Sequence, residues 1–84
     1  MKLLNDKMDI QEFITNFSGQ FEETEPSEFQ AKTQFRDLEE WDSFLALSVM
    51  AMIKSNYDVA VTAQEMRDAQ TIQDLFDIVN SHLQ

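Results

Sequence analysis

The most apolar segment of the chain lies within WDSFLALSVMAMIKSNY, residues 41–57. Its alanine, leucine and methionine residues favour helix over strand. Either Asp42 or Ser43 is a suitable N-cap, and the acidic residues just upstream suit the positive end of a helix. We therefore predict a helix over residues 43–57, called the second helix below.

Upstream of this segment, a single apolar stripe predicts the first helix. Apolar residues recur there at helical spacing, namely Ile10, Phe13, Ile14, Phe17 and Phe21. We place this helix at about residues 7–18, with Asp6 or Asp9 as its cap and Gly19 as the point where it stops.

Downstream, two capping-box signatures predict two further helices. The first, at residues 62–65, opens a short third helix ahead of Met66, and the second, at residues 71–74, opens a fourth helix. The fourth helix carries its own apolar stripe, made of Ile72, Leu75, Phe76, Val79 and Leu83.

Residues 22–42 have a different character and are predicted to form a long acidic loop. They hold eight acidic residues against Lys32 and Arg36, and Pro26 breaks any long helix. The residues Ser27-Glu28-Phe29-Gln30 could cap one short turn. Singly spaced apolar residues are expected to pin the loop to a core, namely Phe29, Phe35 and Leu38.

These elements together predict an all-α fold. With one glycine and one proline, the chain has almost no material for hairpin turns. We expect a small four-helix bundle with three longer helices, one short helix and a long first loop, forming a single domain over residues 1–84.

Helical geometry divides the second helix into two faces. At 100° per residue, Leu47, Met50, Ile53 and Tyr57 fall on one side, and Leu45, Ser48 and Met52 fall opposite. We assign the first set to the core and the second to the surface. The full predicted core comprises Phe13, Phe17, Leu47, Met50, Ile53, Val61, Ile72, Phe76 and Val79.

Composition and charge exclude several classes of function. A net charge of −10 argues against a nucleic-acid partner and against docking on anionic lipid. No run approaches the roughly 18 apolar residues of a membrane span, and the first residues break into charge too early for a signal peptide. Without cysteine there is no thiolate metal site and no cysteine nucleophile, and the one histidine, His82, lies near the end of the chain. We expect a cytoplasmic protein with basic protein partners.

Ser43 is the residue for which we predict chemistry. A serine at a helix start has its hydroxyl near the positive pole of the helix, which favours an attached anionic group such as a phosphate. No neighbouring base in the sequence makes it a nucleophile by itself, so another enzyme would have to modify it. On the motif alone, Ser43 or Asp42 can equally be a simple N-cap.

From Phe35 through Leu83 the chain resembles an acyl carrier protein. In that family an Asp-Ser-Leu motif, with Met or Phe also found in the third position, opens helix two, and its serine carries 4′-phosphopantetheine. Here the motif is Asp42-Ser43-Phe44. The register holds to the end without a gap, through Leu47, Met50, Ile53, Tyr57, Asp58, Val61, Thr62, Thr71, Ile72, Asp77, Ile78, Val79, Asn80 and His82.

The resemblance implies a free-standing carrier and not an enzyme, with no catalytic and no metal-binding residue of its own. A phosphopantetheinyl transferase, using coenzyme A and Mg²⁺, would join Ser43 Oγ to the phosphate, with Asp42 beside the metal and phosphates. The thiol of the arm would hold an acyl group as a thioester and present it to acyl-loading and acyl-transfer enzymes. We expect the carrier to be a monomer.

Two alternatives stay open. Within the family, the chain could be a peptidyl or aminoacyl carrier, which uses the same fold for a different substrate class. Outside the family, it could be an acidic helical interaction module that is never modified, with Asp42 and Ser43 serving only as caps.

The second helix departs from the family pattern on its outer face. In the housekeeping carriers of the family that the chain resembles, this face carries a row of acidic residues. Here no acid occurs on the helix before Asp58. Leu45, Ser48 and Met52 are predicted to stand in place of that row, and exposed apolar groups usually mark a partner site. We therefore predict these three as partner-binding residues, with packing of Leu45 and Met52 on the loop as the alternative.

The pair Glu40-Trp41 is a second departure, because many fatty-acid carriers have Gly-Ala or a similar small pair before the motif. A tryptophan here is more similar to free-standing carriers of specialised pathways. The side chain itself is expected to act as a core plug that pins the end of the loop.

Overall fold

The computed structural model describes residues 9–83. These residues form four α-helices, which are α1 (Ile10–Ser18), α2 (Ser43–Tyr57), α3 (Ala63–Asp68) and α4 (Ile72–His82). Two short 3-10 turns, Pro26–Glu28 and Phe35–Asp37, lie in the long loop between α1 and α2. Over the described range the only β-type pairing is an isolated bridge between Gln34 and Thr71. The predicted all-α fold, with three longer helices, one short helix and a long first loop, is confirmed.

Helix α1 begins later than the predicted residue 7. Asp9 is extended, and its Oδ1 accepts a hydrogen bond from the backbone N–H of Gln11 at 3.1 Å, so Ile10 is the first helical residue. Residues 1–8, with the other predicted cap Asp6, lie outside the described residues. The helix stops at Gly19, as predicted.

Both predicted capping boxes are present. The Thr62 hydroxyl accepts from the N–H of Glu65 at 3.1 Å, and the Glu65 carboxylate accepts from the N–H of Thr62 at 3.0 Å. Thr71 and Asp74 exchange the same pair of bonds at 3.0 and 3.2 Å. Each box satisfies two backbone N–H groups at a helix start that the helix itself leaves unpaired.

The α4 capping box leads to a stability prediction. Thr71→Ala removes the hydroxyl acceptor, and we expect it to lower the free energy of unfolding by about 1 kcal/mol. Thr15→Ala is the control, because the Thr15 hydroxyl bonds only to the Gln11 carbonyl one turn back in α1 and alanine favours helix. Denaturant titration measures both variants, and an equal loss in the two would contradict the role of the cap.

The same cap makes part of the stability depend on pH. The pKa of Asp74 lies below its ordinary value, chiefly because the backbone N–H of Gln70 and then that of Thr71 donate to its carboxylate. A carboxyl whose pKa is lower in the folded chain stabilises the fold above its unfolded pKa. This contribution is lost as the pH falls through the folded value.

One cluster of apolar side chains joins the helices and the loop. Its largest fully buried members are Phe13, Phe17, Phe35, Ile53, Ile72, Leu75, Val49 and Val79. Of the predicted core, Phe13, Phe17, Ile53, Val61, Ile72 and Val79 are buried as expected. Phe76 is only half-buried, with its ring edge-to-face on Phe13 at 5.5 Å.

The predicted rotation of the second helix is wrong. Leu45 and Met52 are 5% and 7% exposed and belong to the core, together with Val49 and Ile53. Leu47, predicted to be buried, is 65% exposed, and Met50 is half-buried. The physical reason is that α2 is apolar on every side, so two stripes of helical spacing compete in the sequence. Packing against the rest of the bundle selects the stripe at residues 45, 49, 52 and 53.

The long loop is tied to the second half of the chain. Phe29 and Phe35 are buried and Leu38 is half-buried, as expected for anchors. The first two N–H groups of α4, from Ile72 and Gln73, donate to loop carbonyls at 3.1 and 2.9 Å. The loop therefore pairs groups at the start of α4 that would otherwise lack partners.

Candidate functional site

Asp42 and Ser43 come together at the start of α2, as the sequence predicts. Asp42 is extended, and its Oδ1 accepts from the N–H of Leu45 at 2.9 Å, which makes it the N-cap. Ser43 is therefore the first helical residue, and both residues are exposed. This arrangement places an accessible hydroxyl on the first turn of a helix, where unpaired N–H groups and the helix dipole favour a negative group.

Trp41 fixes the chain just before this cap. Its ring is parallel to that of Phe17, with 6.3 Å between centroids and 5° between planes, and it meets Phe35 edge-on at 4.9 Å. The indole is half-buried against the core cluster. The predicted core-plug role is confirmed, because these contacts hold the end of the loop on the bundle.

Ser43 lies on the wall of a groove of about 370 Å³ between the first turns of α2 and helix α3. The apolar part of the lining includes Trp41, Leu47, Met50 and Met66. The guanidinium-bearing residues Arg36 and Arg67 also line the groove. The groove thus has mainly apolar walls, and its lining also includes two arginines and Ser43.

Arg36 holds α3 in position as the far wall of this groove. Its Nη1 donates to the Met66 carbonyl at 2.9 Å, and its Nη2 donates to the Arg67 carbonyl at 2.9 Å and to that of Ala69. These carbonyls lie at the C-terminal end of α3, where helical carbonyls lack partners within the helix. This contact was not predicted from the sequence, where the only signal is that Arg36 is one of two basic residues in an acidic loop.

The outer face of α2 is apolar, but at other residues than predicted. Phe44 and Leu47 are 72% and 65% exposed, whereas Leu45 and Met52 are buried and Ser48 is half-buried. The prediction that Leu45 and Met52 face a partner is therefore wrong. The predicted alternative was that they pack on the loop, and the structure places both side chains in the core cluster, which includes the loop residues Phe29 and Phe35. We call Phe44 and Leu47 the α2 apolar patch.

A second, acidic cavity of about 500 Å³ lies in the loop and shares no lining residue with the Ser43 groove. Five glutamates line it, namely Glu23, Glu25, Glu28, Glu39 and Glu40. Within residues 9–83 no group of three or more His, Cys, Asp or Glu side chains is arranged to hold a metal ion. The described cavity therefore has acidic walls without a metal-ligand cluster.

The one histidine links the last two helices. His82 Nε2 lies 2.9 Å from Glu65 Oε2, so the end of α4 contacts the first turn of α3. The pKa of Glu65 lies below its ordinary value, mainly because the N–H of Thr62 donates to it and secondly because of His82. This contact secures α3 at the end opposite to the one held by Arg36.

Comparison with protein-family models, with curated proteins and with solved structures found no match for the chain. In the part of the chain that the structure describes, none of the helices has the length and apolar character needed to cross a membrane.

Proposed function

We propose that the chain is an acyl carrier protein that bears a 4′-phosphopantetheine arm on Ser43. The observation that carries this proposal is the position of Ser43. It is exposed on the first turn of α2, directly after the Asp42 cap and on the wall of an apolar groove. The family resemblance in the sequence supplies the identity of the arm, and the position of Ser43 is compatible with it.

The residues around Ser43 fit the arm chemically. Its phosphate would lie at the start of α2, where the helix dipole and unpaired N–H groups stabilise a negative charge. The apolar groove walls, including Met50 and Met66, offer surface to the less polar part of the arm. When bound, the arm supplies a thiol that forms a thioester with an acyl group.

The chain itself contributes placement and not catalysis. The Asp42 cap fixes where α2 begins, and the Trp41 contacts fix the segment before it. A phosphopantetheinyl transferase would form the bond from Ser43 Oγ to the phosphorus of coenzyme A that bears pantetheine. The pyrophosphate bond at that phosphorus would break, adenosine 3′,5′-bisphosphate would leave, and the serine proton would pass to a base of the transferase. The arm would then act as a tether that raises the effective concentration of the acyl group for a bound enzyme.

Thiol titration tests the proposal, because the chain has no cysteine of its own. The purified chain is incubated with coenzyme A, Mg²⁺ and a broad-specificity transferase, freed of small molecules and titrated with a thiol reagent. We expect one thiol per chain after the reaction and none in a sample without transferase. No thiol in either sample would favour an unmodified interaction module.

The same loaded protein separates the two carrier classes. An acyl carrier is expected to accept acyl groups from its loading enzyme and not amino acids. Formation of an aminoacyl thioester with an amino-acid-activating enzyme, in place of an acyl thioester, would instead assign the peptidyl carrier function.

Partner enzymes are proposed to bind the α2 apolar patch. Burying an apolar side chain contributes about 1.5–3 kcal/mol, whereas an exposed ion pair contributes about 0–1 kcal/mol. We expect Phe44→Glu and Leu47→Glu each to weaken binding to an acyl-loading enzyme by at least about tenfold, with the melting temperature unchanged. Titration calorimetry measures the affinity.

Ser55→Glu is the matched control, because Ser55 is also exposed on α2 but lies near its other end. The control is expected to bind as wild type. Binding should also persist in about 0.5 M salt, where the screening length is about 4 Å. Wild-type affinity in both patch variants, together with loss of binding in salt, would show an electrostatic contact and contradict the patch.

A further inference from the structure

The side chain of Glu40 accepts four hydrogen bonds from residues 22–24. Its Oε2 accepts from the N–H of Glu22 at 2.8 Å, and its Oε1 accepts from the N–H groups of Glu23 and Thr24 at 3.1 and 3.0 Å. The Thr24 hydroxyl donates to the same Oε1 at 2.8 Å. Successive backbone N–H groups that converge in this way form an anion-binding concavity. Here the anion is a carboxylate of the chain itself.

Several other carboxylates lie near the Glu40 carboxylate. The cavity that Glu40 lines has further carboxylates on its wall, namely Glu23, Glu25, Glu28 and Glu39. Glu22 is the neighbour of Glu23 in the sequence. Desolvation of the Glu40 carboxyl raises its pKa and so disfavours the ionised form. The pKa of Glu40 nevertheless lies below its ordinary value, first because of the bond from the Glu22 N–H and further because of the bonds from Thr24 and Glu23. The donated hydrogen bonds therefore favour the ionised form.

Glu40 lies next to the two residues that set the start of α2. Trp41 follows it and packs on Phe17 and Phe35, and Asp42 then caps the helix. The Glu40 contact joins this segment to residues 22–24, which come shortly after the end of α1. The backbone before Ser43 is thus held at Glu40 by hydrogen bonds and at Trp41 by apolar packing.

We infer that Glu40 is a positioning residue for modification of Ser43. Its carboxylate, held by the N–H groups of residues 22–24, fixes the segment before α2, so that Asp42 and Ser43 present one conformation to the transferase. The inference rests on the proposed function of Ser43. It adds that an acid three residues before the serine controls the rate at which the arm is attached.

Hydrogen exchange tests the contact without any assumption about the arm. In Glu40→Ala, we expect the amides of Glu22, Glu23 and Thr24 to exchange at least about tenfold faster than in the wild type, since hydrogen bonds to charged groups are among the stronger ones. Glu39→Ala is the control, because Glu39 lines the same cavity and is exposed. In this control, the amides of Glu22, Glu23 and Thr24 should exchange as in the wild type. Circular dichroism checks that both variants keep their helices.

The rate of arm attachment tests the positioning role. The initial rate of arm attachment is measured from intact-mass time courses with limiting transferase. We expect it to fall at least about fivefold in Glu40→Ala, which corresponds to the free energy of about one hydrogen bond. In Glu39→Ala it should stay at the wild-type value. The rate of Glu40→Gln should lie between those of Glu40→Ala and Glu39→Ala, because the glutamine amide oxygen accepts hydrogen bonds but carries no charge. Sodium formate, against sodium chloride at equal ionic strength, should partly restore the rate and the amide protection of Glu40→Ala.

The outcomes separate this inference from the proposed function. A wild-type chain that never gains the arm would overturn the assignment of Ser43, and the positioning role with it, whatever the amides show. If the wild type gains the arm and Glu40→Ala gains it at the same rate, the positioning role alone is wrong. Unchanged exchange at residues 22–24 in Glu40→Ala would contradict the contact itself.

Discussion

Ser43→Ala is expected to receive no phosphopantetheine arm under conditions in which the wild-type chain is fully modified. The reason is positional, because Ser43 supplies the hydroxyl that directly follows the Asp42 cap on the first turn of α2. Alanine has a high helix propensity, so the variant should keep its helices and its melting temperature. Loss of modification would then reflect the missing oxygen and not an unfolded chain.

Ser55→Ala is the matched control for this result. Ser55 is an exposed serine on the same helix, and its removal should leave the modification complete. Intact-mass spectrometry after incubation with transferase and coenzyme A measures all three chains. If Ser43→Ala were modified as fully as the wild type, another residue would have to carry the arm.

Phe17→Ala is expected to cause the largest loss of stability. Phe17 is fully buried, and its ring lies within 5.5 to 6.3 Å of four other rings, those of Phe21, Phe29, Phe35 and Trp41. Truncating such a residue costs about 3–5 kcal/mol, out of roughly 5–15 kcal/mol for a whole domain. Because all four rings belong to the loop between α1 and α2, the anchoring of that loop should weaken as well.

Phe44→Ala is the control for Phe17→Ala, since it removes the same atoms from a residue that is 72% exposed. We expect its free energy of unfolding to change by no more than about 0.5 kcal/mol. For a domain of this size, each 1 kcal/mol corresponds to about 4–8 °C in melting temperature, so thermal unfolding separates the two variants clearly. Equal shifts would contradict the assignment of Phe17 to the core and of Phe44 to the surface.

Features that depend on a few neighbouring residues were predictable from the sequence. The capping boxes at Thr62 and Thr71 are present because the bonds of a cap join residues only three apart. The Asp42 cap, and with it the placement of Ser43 at a helix start, is local in the same way. The predicted acyl carrier function goes beyond these local features and stays a proposal.

The orientation of α2 was not predictable by the same reasoning. On α1, polar residues separate one apolar stripe from the rest, so Phe13 and Phe17 could be assigned to the core correctly. On α2, Phe44 and Leu47 are as apolar as the buried Leu45, so periodicity alone does not identify the core face. Only the packing of the other helices and the loop decides which stripe is covered.

Contacts of the acidic loop were the other part that sequence reasoning missed. Glu40 binds residues 16 to 18 positions earlier in the chain, and Arg36 binds carbonyls 30 to 33 positions later. Apart from the positive charge of Arg36 in an acidic loop, nothing in the local sequence of either residue distinguishes it from a solvated charge. The groove beside Ser43 has the same origin, since its walls come from the loop, α2 and α3, which lie far apart in the sequence.

Peptide mapping of the wild-type chain after transferase treatment shows whether Ser43 is the residue that carries the arm. The modified protein is digested, and tandem mass spectrometry locates the added group along the sequence. We predict one phosphopantetheine per chain, attached to Ser43. A chain that stays unmodified in the presence of an active transferase, or one modified at a different serine, would contradict it.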